Sequence, residues 1–300
     1  MIAIAEMISG RFRGKILLDE PMSSHTSLKV GGYADLFAVP EDIDDLLLLT
    51  GALKDAGAGF LVIGGGYNLL VRDGGIRGAV ISLERLNRIE RVDEYTVSAG
   101  AGAENLQVVR YAQQQGLGGI GFISGIPGTV GGAVRMNAGA YGEGILQYAL
   151  SLKILSNACA KELPISSFNF GYRHLELDQE DIILGVTLRL RPTPPEETEE
   201  LIRRDLELRR SKHNVGFPSA GSFFKNPEGM AAWRVIDAAG FRGAVEGGAM
   251  VSDIHSNFLV NRGGATAAEF IRLAARVKQG VFEQSGLLLE EEVRIVGEEP

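Results

Sequence analysis

The chain has 300 residues, enough for two or three compact domains, and its 45% hydrophobic and 23% charged residues are ordinary for a soluble globular protein. Its 30 basic and 38 acidic residues give a formal charge of −8 with no Lys/Arg block, which argues against nucleic acid but not against an anionic small molecule in a locally basic pocket. No apolar run reaches the roughly 20 residues of a membrane span. The start, Met1 to Ile8, lacks a basic segment and is interrupted by Glu6, so it does not read as a signal peptide. The single cysteine, Cys159, cannot pair internally and is expected to be a small structural residue in a reducing compartment. The expected location is the cytoplasm.

The first twenty residues predict a short helix and a connecting segment. Alternation and aromatic content predict a strand over Tyr33–Val39. Pro40 and Glu41 open a helix to about Ala56, with Gly57 closing it. Phe60–Ile63 predicts a short buried strand that runs into Gly64-Gly65-Gly66-Tyr67-Asn68-Leu69-Leu70, and Arg77–Leu83 returns as a strand. Strand, helix, strand, glycine turn, strand describes an α/β unit. The turn is not a Walker loop, because no Gly-Lys-Ser/Thr follows, nor a dinucleotide fingerprint, because position 69 is leucine. It remains a turn whose bare N–H groups could face a phosphate.

Tyr95–Gly100 predicts a strand and Glu104–Gln115 a helix carrying Leu106, Val108, Val109 and Tyr111. Residues 121–144 follow, with eight glycines in twenty-four positions. Glycine loses more backbone freedom on folding than any other residue, so this density argues against a regular helix or stiff strand. It suits a turning chain that lays N–H groups against a pyrophosphate or polar ring, with Ser124, Thr129 and Asn137 as neutral hydrogen-bonding groups. Leu150–Leu155 and Ile182–Leu190 predict strands, with an aromatic loop, Phe168 to His174, placed around Arg173. Pro192–Glu197 reads as a linker. Helices are then expected over 197–213, over Met230–Ala239 and from a Thr266–Glu269 capping box to Gly286. Strands are expected over Asn257–Asn261 and Leu287–Val296. The divisions are 1–86, 87–192 and 197–300. No His/Cys/Asp cluster has metal-ligand spacing, so no metal is expected.

Six segments in this order carry a family resemblance. They are Gly64 to Val71, Ser124-Gly125-Ile126-Pro127-Gly128-Thr129-Val130-Gly131-Gly132, Asn137-Ala138-Gly139-Ala140-Tyr141-Gly142, Gly171-Tyr172-Arg173, Ala220 to Pro227, and Glu292-Val293-Arg294-Ile295-Val296-Gly297. From about His25 to Val296 the chain resembles the UDP-N-acetylenolpyruvoylglucosamine reductases, flavoenzymes that make UDP-N-acetylmuramate for bacterial peptidoglycan. Its length and the spacing from Ser222 to Glu292 resemble the shorter type, which lacks an extra tyrosine-bearing loop.

The resemblance implies an α+β protein with a vanillyl-alcohol-oxidase-like (PCMH-type) FAD-binding fold. Two α/β subdomains, 1–86 and 87–192, would hold FAD without a covalent bond, and an α+β domain, 197–300, would bind substrate. NADPH is the implied co-substrate and a UDP-linked amino sugar the implied substrate. No obligate protein partner is implied. The implied cofactor residues are Gly64, Gly65, Gly66, Tyr67, Asn68, Leu69, Ser124, Gly125, Ile126, Pro127, Gly128, Thr129, Gly131, Gly132, Asn137, Gly139 and Ala140. Arg173, Ser222 and Glu292 are the implied catalytic residues, and Tyr172, Asn226, Lys212 and His255 the implied substrate contacts. The chain departs from the pattern at Tyr67, where a small hydroxyl residue is usual, and at Leu175, where serine is common. By composition Glu290, Glu291 and Glu292 are equivalent, and only the Glu-Val-Arg-Ile-Val-Gly frame selects the last. Two rivals stand beside this reading: a sugar or lactone oxidase on the same FAD fold, and a non-catalytic protein that kept it.

Overall fold

The computed structural model describes residues 1–212 and 215–300, without the side chain of Lys212. In chain order come α1 (Ile2–Ile8), β1 (Lys15–Pro21), β2 (Tyr33–Val39), α2 (Ile43–Asp55), β3 (Phe60–Ile63), β4 (Leu69–Val71), β5 (Ile76–Ser82), β6 (Ile89–Arg91) and β7 (Thr96–Gly100). Then follow α3 (Asn105–Gln114), β8 (Leu117–Gly118), α4 (Val130–Arg135), β9 (Ala149–Ser156), β10 (Cys159–Pro164), β11 (Phe170–Gly171), β12 (His174–Leu175), β13 (Ile182–Arg189) and β14 (Arg191–Pro192). The chain ends with α5 (Pro195–Lys212), β15 (Ser219–Ser222), α6 (Ala232–Ala238), β16 (Val245–Glu246), β17 (Ala249–Val251), β18 (Phe258–Asn261), α7 (Ala267–Ser285) and β19 (Arg294–Val296).

One four-stranded sheet has the order β1-β2-β5-β3, with β3 and β5 parallel and Phe60 opposite Ala79. α2 starts where Asp42 accepts hydrogen bonds from the main-chain N–H groups of Asp44 and Asp45, which satisfies donors that a helix start leaves free. Its apolar face packs Leu46, Leu49 and Leu53 with Ile4 and Ile8 of α1 and with Leu36, Ala38 and Ile81. A five-stranded antiparallel sheet has the order β10-β9-β13-β7-β6. Its core joins Val97, Leu152, Ile154, Val186 and Leu188 with Val108 and Val109 of α3 and with Val130 and Val134 of α4. A third sheet, β15-β18-β17-β16, is covered by α6 and α7 through Phe223, Phe224, Ile236, Phe270, Leu273 and Val277, all buried.

The chain divides into two compact units. The first is 1–18, 36–65 and 78–207, and the second is 19–35, 66–77 and 208–300. No helix among the described residues is long and apolar enough to cross a membrane.

Four expectations change. The glycine-rich stretch does contain a helix, α4, and it includes Gly131 and Gly132. The reason is packing: a Cβ at Gly131 would lie 2.9 Å from the Ala101 Cβ, so the missing side chain lets the helix sit against that segment. Pro192–Glu197 is less a linker than a junction, since Pro192 closes β14 and Pro195 opens α5 at a position where proline's missing N–H costs nothing. The strand expected over Leu287–Val296 is regular only in β19, preceded by a single bridge between Phe224 and Glu291. Cys159 is exposed at the start of β10 rather than packed.

Candidate active site

Within the first unit the two glycine-bearing segments meet. A Cβ at Gly64 would stand 2.4 Å from Thr129 Oγ1, so only glycine admits this approach. Gly65 and Gly132 are exposed beside it, and Gly125, Ile126, Pro127 and Gly128 are half-buried. The second segment is stapled from below. Asn105 N donates to the Gly128 carbonyl and Asn105 Nδ2 to that of Ile126, each at 3.0 Å, while Val130 N and Gly131 N donate to Ala103 and Ala101 oxygens at 2.8 Å. The Ser124 hydroxyl is buried with no hydrogen-bond partner among the described residues. Two glycine segments in close approach, one of them carrying a buried, unsatisfied hydroxyl, fit a polar cofactor, because burial without a partner is otherwise unfavourable.

Further along, Asn137 adopts a positive φ of 42° and is 8% exposed. Its Nδ2 donates to the Gly171 carbonyl at 2.7 Å and its Oδ1 accepts from Leu146 N at 3.2 Å. The β11–β12 hairpin held this way carries Tyr172 and Arg173 at its tip. Arg173 itself takes a left-handed φ of 54°, a conformation that costs a non-glycine residue energy and marks a constrained position. Its Nη2 donates to the Gly139 oxygen at 2.9 Å and its guanidinium lies 5.1 Å from the centre of the exposed Tyr172 ring. Leu175, where serine is common in the resemblance, is 4% exposed in the core. Ala140 packs partly against that core.

In the second unit, Gly66 has φ +67° and a Cβ there would meet the His25 carbonyl at 2.0 Å. Tyr67 is exposed, whereas Leu69 is buried in β4. β15 is irregular between Ser219 and Ser222, where Gly221 has φ +75°; such a bulge re-aims the side chain that follows it. The segment after Ser222 runs antiparallel to the segment ending in Glu292. Glu292 N donates to the Phe223 oxygen at 2.8 Å and Lys225 N to the Glu290 oxygen at 2.9 Å. Glu290 pairs with Lys225 at 3.2 Å, and Glu291 with Lys278 at 2.8 Å.

Two implied substrate contacts also have partners within the protein. Asn226 Oδ1 accepts from Ala232 N at 3.0 Å at the start of α6. His255 stands edge-on to Phe258 at 4.8 Å between ring centres and 6.5 Å from Trp233. The side chain of Lys212 lies outside the described residues. No group of three or more His, Cys, Asp or Glu side chains that could hold a metal occurs among the described residues. The sequence reading missed Asn257. It is 2% exposed, accepts from Phe224 N at 3.0 Å, and donates Nδ2 to the Phe224 oxygen at 2.8 Å, fixing the segment that begins with Ser222. A buried asparagine bonded only to distant main chain has no spacing that could reveal it.

Comparison with known proteins adds independent findings. Residues 212–296 match the family described as UDP-N-acetylenolpyruvoylglucosamine reductase, C-terminal domain, and residues 34–158 match the FAD binding domain family. The chain is 64% identical to the UDP-N-acetylenolpyruvoylglucosamine reductase of Pelobacter propionicus, over 96% of this chain and 97% of that protein. The crystal structure of the UDP-N-acetylenolpyruvylglucosamine reductase of Thermus caldophilus superposes with a TM-score of 0.80 at 31% identity, covering 95% of this chain and 99% of that one. An alkyldihydroxyacetonephosphate synthase matches at a TM-score of 0.50 and 19% identity over 64% of this chain and 40% of that one, a likeness of fold alone.

Proposed function

The chain belongs to the UDP-N-acetylenolpyruvoylglucosamine reductase family, and we propose that it reduces the enolpyruvyl double bond of UDP-N-acetylenolpyruvoylglucosamine to UDP-N-acetylmuramate, with NADPH as reductant, in peptidoglycan precursor synthesis. The fold is the vanillyl-alcohol-oxidase-like FAD-binding fold with an added C-terminal α+β domain, and the protein is an FAD-dependent oxidoreductase. The parts read as 1–86 and 87–192 for FAD and 197–300 for substrate; one of the three larger sheets falls in each, while β4 of the first part pairs with β19 of the last. A cytoplasmic location belongs to the same proposal, supported by the single cysteine, which has no partner in the chain for a disulfide.

Gly64, Gly65, Gly66, Gly128, Thr129, Gly131 and Gly132 would hold the FAD pyrophosphate through main-chain N–H groups, with the buried Ser124 hydroxyl as a further partner. When bound, FAD supplies hydride chemistry, replenished by NADPH. As the terminal alkene carbon is reduced, negative charge develops on its neighbour and on the attached carboxylate. Arg173, held at the hairpin tip, is the cation for that charge. The Ser222 hydroxyl delivers the proton to the neighbouring carbon. Glu292 would bind the substrate carboxylate or orient Arg173. The observation that carries this reading is the seating of Ser222 and Glu292 on adjoining antiparallel segments, joined by the hydrogen bond from Glu292 N to the Phe223 oxygen.

An anaerobic titration tests it. NADPH should bleach the flavin absorbance, and UDP-N-acetylenolpyruvoylglucosamine should restore it with one equivalent of UDP-N-acetylmuramate formed. Restoration by oxygen but not by the nucleotide would contradict the proposal and favour a sugar or lactone oxidase.

A further inference from the structure

Asn68 ends the first glycine cluster, where the sequence pattern assigns it to the cofactor, yet its side chain reaches elsewhere. Its Nδ2 donates to the main-chain oxygen of Glu292 at 2.9 Å, 224 residues away. Its own carbonyl accepts from Arg294 N at 3.1 Å, and from there β4 and β19 pair in parallel, Leu69 opposite Arg294. On the opposite side, Glu292 N donates to the oxygen of Phe223, the residue after Ser222. Both main-chain groups of Glu292 are thus committed, one to the Ser222 segment and one to Asn68. Fixing the backbone on two sides fixes the direction in which the Glu292 side chain leaves it.

From this geometry we propose that Asn68 is a positioning residue for Glu292, so that the end of the first glycine cluster serves the reduction of substrate through a main-chain hydrogen bond. Asparagine suits the task because its short side chain carries an N–H donor, which aspartate of the same shape lacks. The base from which Asn68 projects is rigid. Gly66 is in the left-handed region, its would-be Cβ position meets the His25 carbonyl, and Ser27 N donates to the Gly66 oxygen at 3.0 Å. Asn257 performs the matching task on the Ser222 side: its main-chain oxygen accepts from Phe223 N at 2.7 Å, and its side chain holds both main-chain groups of Phe224. Two asparagines thus frame the paired segments from either edge. A misplacement of about 1 Å in a catalytic group can slow a reaction on the order of a hundredfold, so the loss of this frame should be visible in rate.

The inference rests on the role proposed for Glu292, and the test separates the two. Asn68→Asp, Asn68→Ala, Glu292→Gln and the two double variants are compared by flavin content and by anaerobic stopped-flow absorbance in each half-reaction, with UDP-N-acetylenolpyruvoylglucosamine as oxidant. Flavin content and reduction by NADPH are measured for either Asn68 variant, and reoxidation is followed on the flavin-loaded, reduced fraction. Reoxidation by saturating nucleotide should slow by roughly 10- to 100-fold. Added to Glu292→Gln, each Asn68 change should slow reoxidation by less than about twofold further, because residues acting through one group are not additive. Losses that multiply in the double variants would overturn the positioning role, as would flavin loss with normal reoxidation in the single ones. If Glu292→Gln alone leaves reoxidation unchanged, the role of Glu292 falls first and the inference with it.

Discussion

Gly64 and Gly66 look alike in the sequence, two places apart in one cluster, but they exclude a side chain for different reasons. At Gly64 the obstacle is one hydroxyl, Thr129 Oγ1 at 2.4 Å; with that oxygen gone, the next atom is the Thr129 Cβ at 3.7 Å, an ordinary contact. At Gly66 the obstacle is the main-chain oxygen of His25 at 2.0 Å, and φ is +67°. Gly64→Ala should therefore lower stability by about 1–3 kcal/mol, the usual cost of overpacking, and Thr129→Ala in the same protein should recover most of it. Gly66→Ala should cost more, and Thr129→Ala should not rescue it. Denaturant midpoints of the single and double variants check this; simple additivity of Gly64→Ala and Thr129→Ala would contradict it. Other residues were legible only in part. Glu292 could be chosen from its neighbours by the sequence frame alone, and the ion pairs of Glu290 and Glu291 were not legible there. Asn226, read as a substrate contact, spends its side-chain oxygen on the start of α6, a local role that its motif did not reveal.

Elements whose limits are written in local chemistry were read well. β2 and β3 fall where alternation and turn residues placed them, and α7 begins at the Thr266–Glu269 capping box and ends at Gly286 in the left-handed region. Elements fixed by tertiary packing were not. α4 exists because close approach to Ala101 outweighs the entropy lost by two glycines. The stretch after α7 stays largely irregular because its partners are main-chain groups of Phe223, Lys225 and Asn68, none of them near in sequence. The same distance hides a second cap on α7. Asp73, 194 residues earlier, accepts from Ala267 N and Ala268 N at 2.8 Å each. Asp73→Ala leaves two donors at that helix start without their partner, so it should lower unfolding stability by about 1–3 kcal/mol, with the denaturant m-value unchanged. Asp73→Asn keeps one acceptor oxygen and should lose less. Equal losses in the two variants, or none in either, would show that the carboxylate does not cap α7.

For the molecule as a whole, composition bounded the answer without choosing it: the −8 charge, the lone cysteine and the ordinary share of apolar residues left a globular enzyme or binding protein. The order of six short segments chose the family, and the 64% identity to a relative along 96% of the chain bears that choice out. What the sequence could not supply was the contacts that hold these residues, because pairs such as Glu292 with Phe223 or Arg173 with Gly139 join residues far apart along the chain. The proposed division gives the glycine segments to the flavin and Ser222 to a proton needed only when substrate is reduced. Stopped-flow absorbance of Ser222→Ala, read separately in each half-reaction, tests that division most directly. The expected result is reduction by NADPH at a normal rate and reoxidation by UDP-N-acetylenolpyruvoylglucosamine slowed by about 10²–10⁴-fold, the span usual for a lost general acid, with Ser222→Cys retaining more activity than alanine. Near-normal reoxidation in Ser222→Ala would contradict it.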